Sequence, residues 1–453
     1  MTAERRVLRV AIVGAGPSGM YAAGHLLRQH EVTVEVDVFD RLPTPWGLVR
    51  NGVAPDHPEK KGVTRVFELT AAIPGFRFFG NVEIGRDVQA AELRDWYDAV
   101  IYAYGAAASR PAGVPGSDLP GCGSATDFVN WYNGHPDHSG RTYDFSTERA
   151  VIIGNGNVAL DVARILSLSC DELKRTDIAG HALEALSRSR IREVVVMGRR
   201  GPQYAAFNNP ELAELGHLEG VDVSVGPDGV VDEAIANAGG LSWEARRKLE
   251  TLRSWSARQA GPARRIRLQF LATPVEVVGD RRCEAIRFEH NQAMQARREV
   301  QAPSSCELLE TGLVLFAIGF RGCELPGVPF DSATGTVPHQ AQRVKGLDRG
   351  GTYVTGWIAR GPSGIIGSNK LCAHRAVDAL FEDFRSGRIG TDLVSSAREV
   401  ADVLQKRSIG VVSYRGWQSI DEAELSAGAG IDRPRLKRTD WSELLATARP
   451  HGL

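Results

Sequence analysis

Short apolar runs broken by glycine recur along the chain, each followed by an apolar pattern of helical period. In the first, RVAIVGAGPSG, Val10, Ile12 and Val13 predict a buried strand, and the residues beyond Gly19 predict a helix. A second strand is predicted over 32–39, then a Pro- and Gly-rich stretch, 41–62, with no regular period. Trp46, Leu48, Val49 and Val53 give that stretch apolar content that needs burial, so it reads as a packed loop. A helix over about 61–72 follows, then strands near 76–79 and 82–84 and a buried strand at 99–103 that stops at Gly105. A Gly- and Pro-rich segment at 111–121 marks a crossing into a second domain. There RAVIIGNGNVALDVARIL repeats the opening pattern 140 residues on, with Val158, Ala159, Val162, Ala163 and Leu166 on one helix face. A helical insertion at 168–190 and strands at 194–197 and 313–318 come next. The segment 353–370, YVTGWIARGPSGIIGSNK, is again strand, glycine turn and helix. The tail beyond about 395 is patterned as helix, and no chemistry is assigned to it.

Gly14, Gly16 and Gly19 complete G-x-G-x-x-G between strand and helix, with Pro17 and Ser18 inside it. The first glycine permits the tight turn, the second lets backbone approach a pyrophosphate, and the third lets the helix pack on the strand. The free N–H groups and positive end of that helix favour an anion. Asp40 stands 21 residues after Gly19, where an acid binds the hydroxyls of an adenosine ribose. In the second copy Gly154 and Gly156 are followed by Ala159, whose single methyl still permits close packing. Two such motifs are far more specific than one. The strand at 194–197 ends in Gly198, Arg199 and Arg200 rather than in an acid. Two guanidiniums there neutralise a 2′-phosphate, so the second nucleotide is predicted to be NADP(H).

A chain of 453 residues exceeds one core and predicts two or three domains, and its net charge of −1 excludes a whole-chain field that draws nucleic acid. No apolar run approaches the roughly 18 residues that span a bilayer. The basic residues before the first strand resemble a secretory signal, but the run is cut at Gly14. The cysteines Cys122, Cys170, Cys283, Cys306, Cys323 and Cys372 are scattered without C-x-x-C. That argues against a disulfide framework, an iron–sulfur cluster and a redox dithiol, and suits a reducing cytoplasm. No metal-ligand spacing, P-loop or nucleophile elbow is present. Between 242 and 267, Arg246, Arg247, Lys248, Arg253, Arg258, Arg264, Arg265 and Arg267 stand against Glu244 and Glu250. This stretch reads equally as a steering surface for an acidic protein or as a solvated helix face. His57, between Asp56 and Pro58, reads on its own as a surface histidine. The amides around Gly364, Ile365 and Ile366 read either as a helix cap beside a flavin ring or as a structural turn.

Six stretches, GAGPSG at Gly14, LPTPWGLVRNGVAPDHP at Leu42, FFGNVEIGRDV at Phe78, IGNGNVALDVARIL at Ile153, MGRRGP at Met197 and GWIARGPSGIIG at Gly356, span nearly the whole chain. Together they resemble one family, the adrenodoxin-reductase type of ferredoxin–NADP reductase found in mitochondria and bacteria. The resemblance implies an α/β fold of the glutathione-reductase kind: two Rossmann-like dinucleotide-binding domains, the NADP domain (107–325) inserted in a discontinuous FAD domain (1–106 and 326–453). It implies FAD held by Gly14, Gly16, Pro17, Ser18, Gly19, Asp40, Arg41, Trp46, Gly47, Leu48, Ile84, Gly356, Trp357, Gly364, Ile365 and Ile366. It implies NADP(H) held by Arg110, Gly154, Asn155, Gly156, Asn157, Val158, Arg199, Arg200, Glu211 and Gly364. His57 and Glu214 match a histidine and an acid that lie together near the nicotinamide in bacterial members. They are the catalytic candidates, and the match lifts His57 above its surface reading.

The chain departs from the family pattern in QYAAFNNPEL after the arginine pair, which puts Glu211 directly after Pro210, and in GPSGIIG where GPTGVIG is commoner. The segment 220–268 is shorter than in mitochondrial members, and there is no cysteine cluster of an attached ferredoxin-like domain. The implied activity is NADPH:ferredoxin oxidoreduction. Nicotinamide gives two electrons as a hydride, an iron–sulfur carrier takes one, and a flavin does both. The expected partner is an acidic ferredoxin, with no nucleic acid and no membrane insertion, and the expected state is a monomer. Two alternatives stay open: an NADPH-dependent flavin oxygenase or oxidase, and a non-catalytic NADP(H)-binding module.

Overall fold

The computed structural model describes residues 7–256, 264–291, 306–347, 350–364, 366–390 and 397–448. The chain divides into two compact units, one formed by Met1–Val53, His57–Ala108 and Phe320–Leu453, the other by Ala54–Asp56 and Ser109–Gly319.

In the first unit seven strands lie in the order His339–Gln340, Arg343–Val344, Thr352–Val354, Ala99–Tyr102, Val7–Val13, Thr33–Phe39, Phe76–Phe79. The last five run parallel. Leu8, Val10 and Ile12 point into one apolar cluster, and Ala11 and Val13 into another. Burial on both faces explains why the opening run shows no polar alternation. The helices Pro17–Leu27 and Ile366–Arg385 cover the first face, through Met20, Ala23 and Leu26 on one and Ala373, Val377 and Leu380 on the other.

The second unit carries a parallel sheet of six strands in the order Cys122–Ser124, Leu313–Phe316, Arg149–Ile153, Glu193–Met197, Arg264–Gln269, Val221–Gly226. Ala150 and Ile152 pack with Ala159, Leu160 and Val162 of the helix Asn157–Ser167. Val151 and Ile153 share the opposite cluster with Ala272, Ile286 and Phe288, residues of an antiparallel sheet formed by Ala272–Val278, Ala285–His290 and Cys306–Glu310.

The structure differs from the sequence expectation in four places. The helix expected over 61–72 is two, Pro58–Lys61 and Thr64–Ala71. Residues 82–84 form no strand. Gly85 N–H donates to Val88 O at 2.7 Å and Glu83 N–H to Asp87 Oδ2 at 2.8 Å, folding the chain back on itself. The strand expected over 313–318 stops at Phe316. The basic stretch 242–267 is not one surface, because it contains the helix Trp243–Ser256 and the sheet strand Arg264–Gln269. Lys248 is buried and donates to Ala205 O at 2.5 Å. Arg264 caps the helix Asn157–Ser167 by donating to the carbonyls of Ser167 and Leu168 at 3.0 and 2.7 Å. Arg258 lies outside the described residues.

All six cysteines are free thiols. Among the described residues no helix is long and apolar enough to cross a membrane.

Candidate nucleotide sites

Both glycine turns sit at the carboxyl ends of parallel strands, where the chain's next strand lies on one side and a later strand on the other. That is the switch point at which open α/β sheets bind ligands. Gly14 has a φ of 108°, and a Cβ there would lie 2.7 Å from Ala103 O. Gly154, with a φ of 127°, would place its Cβ 2.2 Å from Ala317 O. Only glycine tolerates that backbone and that approach. Gly19 is equally constrained, since its Cβ would sit 2.0 Å from Gly14 O, whereas Ala159 holds the corresponding place in the second turn and is fully buried. The middle glycines behave differently. A Cβ on Gly16 would meet only Gly47 Cα, at 3.9 Å, and one on Gly156 would meet nothing within 4 Å. The helices that follow have no side-chain cap and no acid in the first turn. Their orphan N–H groups face the room left by the middle glycines, an arrangement that fits a pyrophosphate.

In the first unit, the Asp40 carboxylate accepts Ala15 N–H at 2.8 Å and Leu42 N–H at 2.9 Å. Burial pushes this carboxyl up, against the two N–H donors. Each oxygen keeps lone pairs for further donors, as binding two ribose hydroxyls requires. The loop beyond is tied to the glycine turn: Trp46 N–H donates to Ala15 O at 3.0 Å, although Trp46 has a φ of 81°, costly for an aromatic residue. Gly47 precedes the short helix Leu48–Asn51. Arg41 stacks its guanidinium over Trp441, 5.8 Å from the ring centroid. Ile84 is buried in the cluster that also holds Val13.

From the far end of the chain, Gly356 packs so closely on Ser18 that a Cβ would lie 2.2 Å from Ser18 Oγ. Ser18 Oγ donates to Asn369 Oδ1 at 3.0 Å, and Arg360 Nη2 donates to the same oxygen at 3.0 Å. Trp357 Nε1 donates to Ser363 O at 3.1 Å, next to Gly364, and the long helix begins at Ile366. Ile365 lies outside the described residues. The structure therefore brings Gly14, Gly16, Pro17, Ser18, Gly19, Asp40, Trp46, Gly47 and Gly356 together in one unit. Asn369 and Arg360 join them; both lie within the segment 353–370, of which the sequence reading assigned only Gly356, Trp357 and residues 364–366 to the site.

In the second unit the strand-end position equivalent to Asp40 is Gly198, and the equivalent of Ala15 is Asn155. The Asn155 amide fills the vacated place: its Nδ2 would lie 2.5 Å from a Cβ on Gly198. That nitrogen is buried with no acceptor among the described residues, an orphaned donor that suits a ligand oxygen. Asn157 Oδ1 accepts Asn208 N–H at 2.9 Å, and Val158 packs on the core beneath. Arg199 and Arg200 are both exposed, and no carboxylate among the described residues pairs with either. Their backbones are held, since Arg199 O accepts Asn291 Nδ2 at 2.6 Å and Arg200 O accepts Leu271 N–H at 3.3 Å. A pair of exposed cations on fixed backbone at this strand end fits a 2′-phosphate. Glu211 stands in the first turn of the helix Asn209–Leu215, and Arg110 N–H donates to Gly319 O at 3.1 Å.

His57 and Glu214 each have a partner of their own. His57 is buried in the first unit, with Nδ1 3.0 Å from Glu59 Oε1 and Nε2 3.4 Å from Lys60 Nζ. Glu214 belongs to the second unit, where its Oε2 accepts Arg164 Nη1 at 3.2 Å. Arg164 was not singled out from the sequence. Its guanidinium is 2 % exposed and serves three acids, since it also donates to both Asp56 oxygens at 2.7 and 3.1 Å and to Asp161 Oδ1 at 2.8 Å. Burial lowers its tendency to hold a proton and the three carboxylates more than reverse that, so it stays charged.

A family model described as pyridine nucleotide-disulphide oxidoreductase matches residues 8–197. The NADPH-ferredoxin reductase FprA of Mycobacterium tuberculosis is 46 % identical over 451 residues, covering 96 % of this chain and 98 % of that protein. The chain belongs to the NADPH-ferredoxin reductase family. Its likeness to family members extends to plants: the mitochondrial NADPH:adrenodoxin oxidoreductase of Arabidopsis thaliana is 39 % identical over 470 residues, covering 99 % of this chain and 96 % of that one. The solved structure of Mycobacterium tuberculosis FprA in complex with NADPH matches with a TM-score of 0.92 at 44 % identity, covering 98 % of this chain and all of that one. This reductase-family match runs through both units and includes both glycine turns.

Proposed function

We propose that the chain is an NADPH:ferredoxin oxidoreductase whose first unit holds FAD and whose second holds NADP(H). The observation that carries the reading is the pair of glycine turns of one construction, the first paired with a strand-end carboxylate bonded to the turn's backbone and the second with two exposed guanidiniums. FAD, when bound, supplies the change from two-electron to one-electron transfer. The protein's part is to bind and orient. The open faces of Gly16 and Gly156 take the pyrophosphates, Asp40 takes the ribose hydroxyls, and Arg199 and Arg200 take the 2′-phosphate. The Asn155 amide donates to a ligand oxygen. The electron partner is an acidic ferredoxin, a reading supported by relatives named for ferredoxin and adrenodoxin. Free, scattered cysteines support a reducing, cytoplasmic compartment.

No side chain needs to give or take a proton in a hydride transfer, so His57 and Glu214 are assigned to tuning affinity and rate. A His57→Ala variant is expected to keep its flavin and still bleach when mixed with NADPH under argon, more slowly than wild type. Complete loss of bleaching with FAD still bound would contradict this assignment.

Anaerobic stopped-flow mixing tests the function itself. The yellow protein should bleach with NADPH and then reduce one or more of the host's ferredoxins. Oxygen uptake stimulated by a small substrate without any protein acceptor would replace the reading with a flavin oxygenase. A protein that binds NADPH without bleaching would make it a binding module.

A further inference from the structure

The segment after residue 411 converges on one short stretch, the loop that follows Asp40 and closes against Gly16. Glu424, on the helix Tyr414–Ala429, is fully buried. Its carboxylate accepts Arg50 Nη1 at 2.9 Å and Nη2 at 2.6 Å, across 374 positions of sequence. Arg435 Nη1 donates to the same carboxylate at 2.7 Å, and the Arg438 backbone N–H does so at 2.9 Å. Trp417, from the same helix, packs edge-on against Trp46 with centroids 6.4 Å apart and lies 5.2 Å beneath the Arg50 guanidinium. Trp46 and Arg50 bracket Gly47, where a Cβ would lie 2.9 Å from Gly16 Cα.

Taking a carboxylate and its guanidiniums out of water costs about as much as their attraction returns, so net stability is a poor reason for such a cluster. What it fixes is geometry. Four donors fill both oxygens of Glu424, and shifting the loop would break the two that come from Arg50 and strand a buried charge. Burial pushes the Glu424 carboxyl up, but Arg50 and Arg435 outweigh it and hold the group below its ordinary range, so it is an anion at neutral pH.

We propose that Glu424 is a positioning residue for the flavin, acting through Arg50: the C-terminal segment clasps residues 46–51 onto the Gly16 turn and sets how firmly FAD is held. The proposal rests on the reading of the first unit as the FAD site.

The test titrates FAD into apo-protein of wild type, Glu424→Gln and Asp421→Asn, following flavin fluorescence and the visible band shape. Asp421 pairs with Arg435 at 2.6 Å and is about a third exposed, so it perturbs the same cluster one step away from the loop. Glu424→Gln is expected to raise the FAD dissociation constant about tenfold or more, the loss of a charged hydrogen bond. Asp421→Asn is expected to change it less than about twofold. Binding of 2′,5′-ADP, which reports on the second unit, should be equal in all three. Should Glu424→Gln fail to fold by circular dichroism, the double variant Arg50→Gln/Glu424→Gln, which leaves neither charge of the pair buried alone, is read in its place. A folded variant that binds FAD as wild type does overturns the proposal alone, as does an equal loss of 2′,5′-ADP binding, which marks general unfolding. A wild type that takes up no FAD overturns the functional reading and the proposal with it.

Discussion

Replacing Arg199 and Arg200 together with alanine is expected to abolish most of the preference for NADPH over NADH. A charged hydrogen bond contributes about 1.5–3 kcal/mol, and because both guanidiniums are exposed the lower figure applies, about tenfold in dissociation constant for each. The loss should fall on NADPH and leave NADH nearly untouched, since NADH carries no 2′-phosphate for the pair to neutralise. The backbone carbonyls of both residues are bonded to Asn291 and Leu271, so truncating the side chains leaves the turn in place. Titration of each single variant and the double variant with both nucleotides checks this. Equal losses for NADPH and NADH would remove the specificity argument.

The Arg164→Met variant should lose about 3 kcal/mol of stability, the low end of the cost of breaking a buried ion pair. The mechanism is the charge left behind: Asp56, Asp161 and Glu214 would share a region from which a cation that all three contact has gone. Their side chains are 16 %, 19 % and 31 % exposed, and that residual water moderates the effect. Urea unfolding followed by circular dichroism measures it. An unchanged midpoint would mean that the three acids are satisfied by solvent and that Arg164 is dispensable.

What was legible in the sequence was steric and local. Gly14, Gly16 and Gly19 declare themselves because their spacing falls between a strand and a helix, although only Gly19 meets its constraint, Gly14 O, within a few residues; Asp40 and the Arg199–Arg200 pair follow from a fixed offset to a strand end. Of the acids around Arg164 only Asp161, three residues earlier on the same helix, was within reach of a sequence reading; Asp56 is 108 positions away and Glu214 is 50, and nothing local announces either. Glu424 was hidden for the same reason at greater distance. The strand Arg264–Gln269 escaped notice because Arg264, Arg265 and Arg267 read as a basic run. Its buried members are Ile266, Leu268 and Gln269, too few to announce a strand in the middle of a sheet. Residues 82–84 failed in the opposite sense, since an apolar pair looked like a strand until Gly85 turned the chain back.

The exchange between Asn155 and Gly198 bears on any effort to retarget this reductase to the cheaper, unphosphorylated coenzyme. An acid installed at 198 would take the strand-end position that Asp40 holds in the other half, but the new side chain would enter a space already taken by the Asn155 amide. Redesign therefore touches four positions: Asn155 must shrink before a carboxylate can be seated at 198, and the guanidiniums of Arg199 and Arg200 must go before it can be left unneutralised.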